Sequence, residues 1–233
     1  MIRLVLLVAV SFVGAQASAL ELKGAFTQGT LITGKVAPGS SVLLDGVPLL
    51  ALPDGIFVFG LPRDAKSNAL LYVRLKDGSV VQRKLKIRKR NYRIQHIDGL
   101  LKRKVTPQKR DYKRIAREQK LLNAVRHRVT QIVDFKNGFV WPARGRISGV
   151  YGSQRILNGK PRAPHLGVDI AAPSGAPIIA ASDGFVSFTH EGMFFTGKTI
   201  QIDHGLGVGT IYIHLSKVLV KEGQRVRKGE LIG

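Results

Sequence analysis

Turn dipeptides divide the first part of the sequence into short apolar runs, and this punctuation constrains the fold more than any other feature. Asp45-Gly46, Asp54-Gly55 and Asp77-Gly78 lie between runs rich in Val, Leu, Ile and Phe. Asp-Gly pairs favour tight turns because glycine adopts positive φ at no steric cost. The runs cover residues 30–36, 41–44, 47–50, 56–59, 70–75 and 79–87. Repeated short strands predict a small β-sandwich of immunoglobulin-like type over residues 20–95, interpreted as a docking or spacer domain.

A strongly basic stretch follows the predicted sandwich. Residues 83–128 hold 18 Lys and Arg against three acids, and most of the formal net charge of +22 lies there. Thr106 can cap a helix whose first position is Pro107, so we predict a basic helical linker over 96–135. The residues of one apolar stripe on this helix are Tyr112, Ile115, Leu122, Val125 and Val129. The helix could pack on a neighbouring domain, cross a groove or bind an anionic surface.

The sequence changes character again at about residue 136. It becomes rich in glycine and in short apolar runs, which predicts antiparallel sheet with long loops and no helix. The predicted strands cover 176–181, 184–189, 198–203, 209–214 and 217–220. Because the chain contains no cysteine, thiolate metal sites are excluded, and any metal must be bound by His, Asp or Glu.

One His-x-x-x-Asp pair in this region could bind a metal. His165 offers an imidazole nitrogen and Asp169 a carboxylate oxygen, and Zn²⁺ accepts both in a tetrahedral site. Taken alone, the pair is equally consistent with a hydrogen-bonded histidine beside an aspartate in a turn. The flanking sequence favours the metal, since Gly149-Val150-Tyr151-Gly152 precedes the pair and Tyr212-Ile213-His214-Leu215-Ser216 follows it.

This ordered set of motifs resembles the lysostaphin-type (LytM) zinc metallopeptidases, which cut the peptide cross-links of bacterial peptidoglycan. The resemblance covers residues 139–233 and implies an antiparallel β peptidase domain of the duplicated hybrid motif over 136–233. It implies that His165 and Asp169 are two of three zinc ligands. It also implies that His214 is a catalytic histidine beside the Zn²⁺ and that Tyr151 lies at the rim of the site.

In that family a His-x-His pair follows the segment that corresponds to Lys228–Gly233. In the family, the second histidine of this pair is the third zinc ligand and the first is catalytic. The present sequence stops at Gly233, before the position of the pair. We therefore expect either a fragment of a longer enzyme or a truncated form that cannot cut. The fragment is favoured because a strand that begins at Leu231 would leave an unpaired sheet edge.

The N-terminus is typical of an exported protein. Arg3 precedes an apolar run over residues 4–13, and small residues follow at Ala17 and Ala19. This pattern predicts a cleaved signal peptide over 1–19 and a periplasmic location; a membrane anchor is the alternative. Outside the cytoplasm the basic linker would meet anionic cell wall or membrane surfaces, and no nucleic acid partner is expected.

Two functions follow from these observations. The first is a secreted zinc metalloendopeptidase that hydrolyses peptidoglycan peptides with a zinc-activated water as nucleophile. The alternative is a non-catalytic LytM-like module that binds the cell wall or activates another hydrolase.

Overall fold

The computed structural model describes residues 20–233, so the predicted signal peptide lies outside the described residues. Two compact units divide the chain, one ending at Arg90 and the other comprising Asn91–Gly233. Both are built mainly from β-strands, as the sequence predicted. Within the described range, neither helix combines the length and the apolar character that crossing a membrane requires.

The first unit is a β-sandwich of seven strands, and all of its strand pairs are antiparallel. Its strands are β1 (Leu20–Lys23), β2 (Thr30–Val36), β3 (Ser41–Leu44), β4 (Val47–Leu49), β5 (Ile56–Leu61), β6 (Asn68–Arg74) and β7 (Val80–Lys86). One sheet has the order β1-β2-β5 and the other β4-β3-β6-β7. The unit is a small β-sandwich, as predicted, although β4 joins the sheet of β3, β6 and β7, whereas the constant-type immunoglobulin fold has its fourth strand in the sheet of the first, second and fifth.

The core of this sandwich lies between the two sheets. Ile32 and Phe57 from one sheet and Leu71 from the other are completely buried in it. Inward and outward residues alternate because successive side chains of a strand point to opposite faces. The Asp45-Gly46 pair joins β3 to β4, and both residues have positive φ, as a two-residue hairpin turn requires.

The second unit begins with strand β8 (Ile94–Ile97), helix α1 (Lys102–Val105) and helix α2 (Lys109–Arg126). The predicted helix cap at Thr106 is wrong. The backbone of Thr106 is extended and its N–H closes the end of α1 on the Lys102 carbonyl. Helix α2 begins after Gln108, which forms a capping box with Asp111. Asp111 is held there by the guanidinium of Arg103, a partner that local sequence does not indicate.

The face of α2 that packs inward contains part of the predicted apolar stripe. Ile115, Leu122 and Val125 are half-buried, whereas Tyr112 and Val129 are 55% and 52% exposed. The same face also buries two acids, Asp111 and Glu118. Glu118 accepts a hydrogen bond from the N–H of Phe194, at 2.7 Å, and forms an ion pair with Arg114 at 2.6 Å. These partners compensate the carboxylate for its loss of water, so a polar contact anchors the helix on the sheet.

The remainder of the unit is antiparallel sheet around long loops, with a 3₁₀ turn at Asp134–Asn137. Its strands are β9 (Arg146–Gly149), β10 (Gln154–Leu157), β11 (Lys160–Pro161), β12 (Asp169–Ala171), β13 (Gly184–Met193), β14 (Gly197–Gly205), β15 (Val208–Leu215) and β16 (Arg225–Val226). The largest sheet has the order β15-β14-β13-β16. A small sheet pairs β9 with β12, and another has the order β11-β10-β8, in which β8 and β10 are parallel.

Two segments predicted as strands, 176–181 and 217–220, are not strands. They are joined instead by irregular backbone hydrogen bonds, in which the N–H of Leu219 donates to Ile232 and the N–H of Ile232 donates to Ile178. Ile178 and Ile232 bury their side chains in the second core, so their apolar character reflects packing and not strand pairing.

Candidate metal centre

His165 and Asp169 face each other, as the predicted metal pair requires. The Nε2 atom of His165 lies 3.2 Å from the Oδ1 atom of Asp169. A tetrahedral ion with bonds of about 2.0–2.2 Å separates two donor atoms by about 3.3–3.6 Å. The two donors therefore already stand close to the spacing that one Zn²⁺ would impose.

The imidazole of His165 is largely enclosed, whereas Asp169 opens to a groove. Their side chains are 13% and 41% exposed. Backbone hydrogen bonds fix the His165 main chain, since its carbonyl accepts from Gly152 at 2.7 Å and its N–H donates to Ser153 at 2.8 Å. Its Nδ1 atom is buried with no hydrogen-bond partner among the described residues. Nε2, which faces Asp169, is thus the nitrogen placed to bind a metal.

A bulge in the pair β9–β12 presents Asp169. The register shifts after Asp169, so that Ser148 has no direct partner on β12. Gly149 lies opposite Asp169, and a Cβ atom on Gly149 would stand 2.3 Å from the Asp169 Oδ2 atom. Only glycine leaves room for this carboxylate. Bulges are common beside functional sites because they redirect a side chain.

Arg155 on β10 holds the other carboxylate oxygen of Asp169. Its Nη2 atom donates to Asp169 Oδ2, and its Nε atom donates to the side chain of Gln95 at 3.2 Å. The amide of Gln95 in turn donates to the Ser148 carbonyl at 3.1 Å. The sequence offered no signal for this chain of contacts, because Gln95 lies 60 residues from Arg155. The contact leaves Oδ1 as the oxygen that faces His165.

His214 lies at a second bulge, near the end of β15. Two residues of β15, Ile213 and His214, oppose Thr199 of β14, and His214 has a φ of 60°. Regular alternation would turn His214 to the same face as buried Tyr212. With the bulge it is exposed instead, and a non-glycine residue in this left-handed region costs about 1–3 kcal/mol. Such strain is concentrated at functional sites.

One groove of about 700 Å³ is lined by Asp169 and by His214. It runs along β12 and β15, and Arg155 and Tyr212 also line it. Tyr151, predicted at the rim, is half-buried in the turn before Gly152 and is not among the described residues that line this groove. Asp169 and His214 thus line one groove, and His165 contacts Asp169 beside it.

Within residues 20–233, His165 and Asp169 have no third metal ligand beside them. No group of three or more His, Asp or Glu side chains in this range is close enough to hold a metal ion. The described residues thus fit Zn²⁺ as a two-donor site.

His204, on the central strand β14, is completely buried. Its Nδ1 atom donates to the Asp183 carbonyl, and its Nε2 atom lies 2.8 Å from the Thr210 hydroxyl, which is 2.9 Å from the Tyr212 hydroxyl. Burial holds the pKa of His204 below its ordinary value. A neutral imidazole with both nitrogens engaged has a packing role and is unavailable to a metal.

Comparison with known proteins identifies the C-terminal segment. Residues 163–233 match the sequence profile of peptidase family M23. This segment is an M23 peptidase domain. It contains His165, Asp169 and His214, whereas Tyr151 and Arg155 precede the matched residues.

Curated relatives match the chain over a minority of their own length. The chain is 40% identical over 92 residues to the peptidoglycan DD-endopeptidase ShyA of Vibrio cholerae, a match that covers 39% of this chain and 21% of the relative. It is 36% identical over 95 residues to the lipoprotein NlpD/LppB homolog of Pseudomonas aeruginosa, covering 41% of this chain and 30% of the relative. The chain thus spans about a fifth to a third of the length of these relatives.

A crystal structure assigned to peptidase M23, from Pseudomonas aeruginosa, is similar over most of the chain. The TM-score is 0.67 at 26% sequence identity, and the match covers 90% of this chain and 82% of that chain. The likeness therefore extends well beyond the M23 domain.

Proposed function

We propose that this chain contains the substrate groove and two zinc ligands of a metalloendopeptidase that hydrolyses the peptide cross-links of peptidoglycan outside the cytoplasm. The observation that carries the proposal is the convergence of His165 and Asp169, 3.2 Å apart, beside a groove that His214 also lines. The M23 domain and a relative named as a peptidoglycan DD-endopeptidase support the substrate class.

The two ligands would bind the ion through different donor atoms. His165 contributes a neutral nitrogen from a fixed, enclosed position, and Asp169 contributes one oxygen while Arg155 holds the other. When bound, Zn²⁺ supplies an activated water at neutral pH and polarises the scissile carbonyl. The family resemblance implies a third protein ligand beside these two.

His214 would exchange a proton with the substrate. It is exposed on the groove, so its ring can reach a peptide that lies along β12 and β15. A histidine at this position can accept a proton from the attacking water or donate a hydrogen bond to the developing oxyanion. Its backbone is fixed by a hydrogen bond of 2.8 Å from its N–H to the Thr196 carbonyl, which limits the movement of the ring.

The test is cleavage of isolated peptidoglycan by the full-length protein, with products identified by mass spectrometry. We expect His165→Ala and Asp169→Ala to abolish cleavage and to remove bound zinc. His214→Ala should abolish cleavage but retain zinc, since His214 is proposed to act on the substrate. His127→Ala, at an exposed position after α2, is the matched control and should leave both unchanged.

The same variants separate the enzyme from a non-catalytic module that binds the wall or activates another hydrolase. Such a module would retain its wall binding and its activating effect in both His165→Ala and Asp169→Ala. Cleavage that persists in the His165→Ala protein would refute the proposed enzyme.

A further inference from the structure

A second cavity, of about 490 Å³, lies beside the metal pair within the unit Asn91–Gly233. His165 and Arg155 form part of its wall, and α1 and the residue Pro107 form another part. We name this cavity the α1 pocket. Since Arg155 lines both cavities, the α1 pocket adjoins the groove that contains Asp169.

Two cations of the α1 pocket have only neutral partners. The Nζ atom of Lys104 donates to the Phe194 carbonyl and lies 4.2 Å from the centre of the Phe194 ring. The Nη2 atom of Arg162 donates to the Val105 carbonyl at 2.6 Å. Neither side chain contacts a carboxylate in the described part of the chain. Their charges are therefore not neutralised from within the protein.

Arg155, the third cation of the pocket, differs in this respect. Its charge is balanced by Asp169, whereas the pocket lining includes no acidic side chain. A concave surface with two uncompensated cations attracts an anion.

The remaining wall of the α1 pocket is apolar. Leu157, Leu166 and Phe195 line it, and Leu166 and Phe195 are 68% and 49% exposed. Apolar side chains at the mouth of a cationic cavity suit a ligand that carries small apolar groups beside a carboxylate. Short peptides rich in alanine have this chemistry.

We propose that the α1 pocket is a substrate subsite in which Lys104 and Arg162 bind a carboxylate of the peptide whose scissile bond lies beside His165. This inference rests on the proposed function. It adds that the substrate carries a negatively charged carboxylate on one side of the scissile bond. Lys104 precedes residues 163–233. The subsite thus combines the M23 domain with the basic segment before it.

The test is binding of a peptidoglycan stem tetrapeptide, prepared with its carboxylates either free or amidated, measured by isothermal titration calorimetry at 150 mM salt. We expect the full chain to bind the free form about tenfold more tightly, because charge-assisted hydrogen bonds to a carboxylate are stronger than hydrogen bonds to a neutral amide. Lys104→Ala and Arg162→Ala should each reduce this preference to about threefold, since two equal contributions to a tenfold preference are each a factor of about three.

Lys102→Ala is the matched control, since it removes the same charge from the same helix at a side chain that does not line the pocket. It should keep the tenfold preference. Equal binding of both peptides by the unaltered chain, or an equal loss in Lys102→Ala, would overturn the subsite. Cleavage of peptidoglycan by the full-length protein without this preference refutes the subsite alone, and the preference without cleavage refutes the proposed endopeptidase alone.

Discussion

Replacing Gly149 by alanine tests whether the bulge between β9 and β12 positions Asp169 for a metal. The substitution adds one methyl group, and the backbone of Gly149 is outside the positive-φ region, so alanine meets no conformational obstacle. Its Cβ atom would stand 2.3 Å from Asp169 Oδ2 and 3.0 Å from Arg155 Nη2. The methyl group therefore acts on the carboxylate and on the cation that holds it.

The expected magnitude follows from the displacement. A carbon–oxygen contact relaxes to about 3.3 Å, so the carboxylate must move by about 1 Å. Metal ligands tolerate about 0.5 Å before binding suffers, and disturbing the partners of a ligand typically costs about 10–100-fold in metal affinity. We therefore expect Gly149→Ala to weaken zinc binding by this factor, equivalent to about 1.4–2.7 kcal/mol.

The assay is competition for Zn²⁺ against a chromophoric chelator, with the thermal midpoint of unfolding recorded for the same samples. Gly192→Ala is the matched control, because a Cβ atom there has no neighbour within 4 Å. It should keep the zinc affinity of the unaltered chain. Zinc affinity that is unchanged in a folded Gly149→Ala protein would falsify the assignment of Asp169 as a ligand.

Three further changes test the fold, two of them in the second unit and one in the sandwich core. Burial lowers the pKa of His204, so the unfolded chain binds a proton below about pH 6.5 before the folded chain does. Urea unfolding should therefore show stability that is complete above pH 6.5 and falls below it by up to about 1.4 kcal/mol per pH unit, a loss absent from a folded His204→Gln variant. Glu118→Ala leaves the Phe194 N–H without its acceptor and should cost about 1–3 kcal/mol, seen as faster hydrogen exchange at that amide; unchanged exchange would contradict the anchoring of α2. Phe57→Ala opens a cavity in the sandwich core and should cost about 3–5 kcal/mol in denaturant unfolding, and a loss below 1 kcal/mol would show that Phe57 is not central to that core.

Local chemistry made the sandwich predictable. Asp45-Gly46 sets a two-residue turn by its own conformational preference, and β2 and β3 have the predicted limits 30–36 and 41–44. The start of α2 was not predictable in the same way. Thr106 is a good cap by type, yet the cap is at Gln108 because Arg103 holds Asp111 in place. That choice depends on an ion pair between two elements.

The same distinction applies to the candidate site. The residue types and spacing of His165 and Asp169 singled out the pair, but only the flanking motifs favoured a metal over a hydrogen-bonded histidine beside a turn aspartate. Arg155 and Gln95 act on Asp169 through pairing of β8 with β10, which joins residues about 60 positions apart in sequence. Such pairing leaves no periodic or spacing signal.

Both groove residues proposed to act in hydrolysis owe their position to an interruption of regular strand pairing. At Asp169 the bulge and a glycine make room for the carboxylate, and at His214 a left-handed residue turns the ring away from the core. A regular strand would have placed His214 beside Tyr212, where a titratable ring meets only apolar walls and buried hydroxyls. The strand pairing is thus least regular at the residues that are proposed to act in hydrolysis. The strained backbone at His214 belongs to a sheet whose strands β13 and β14 are packed in the second core. A variant of β15 without the bulge should therefore raise the free energy of unfolding but remove His214 from the groove.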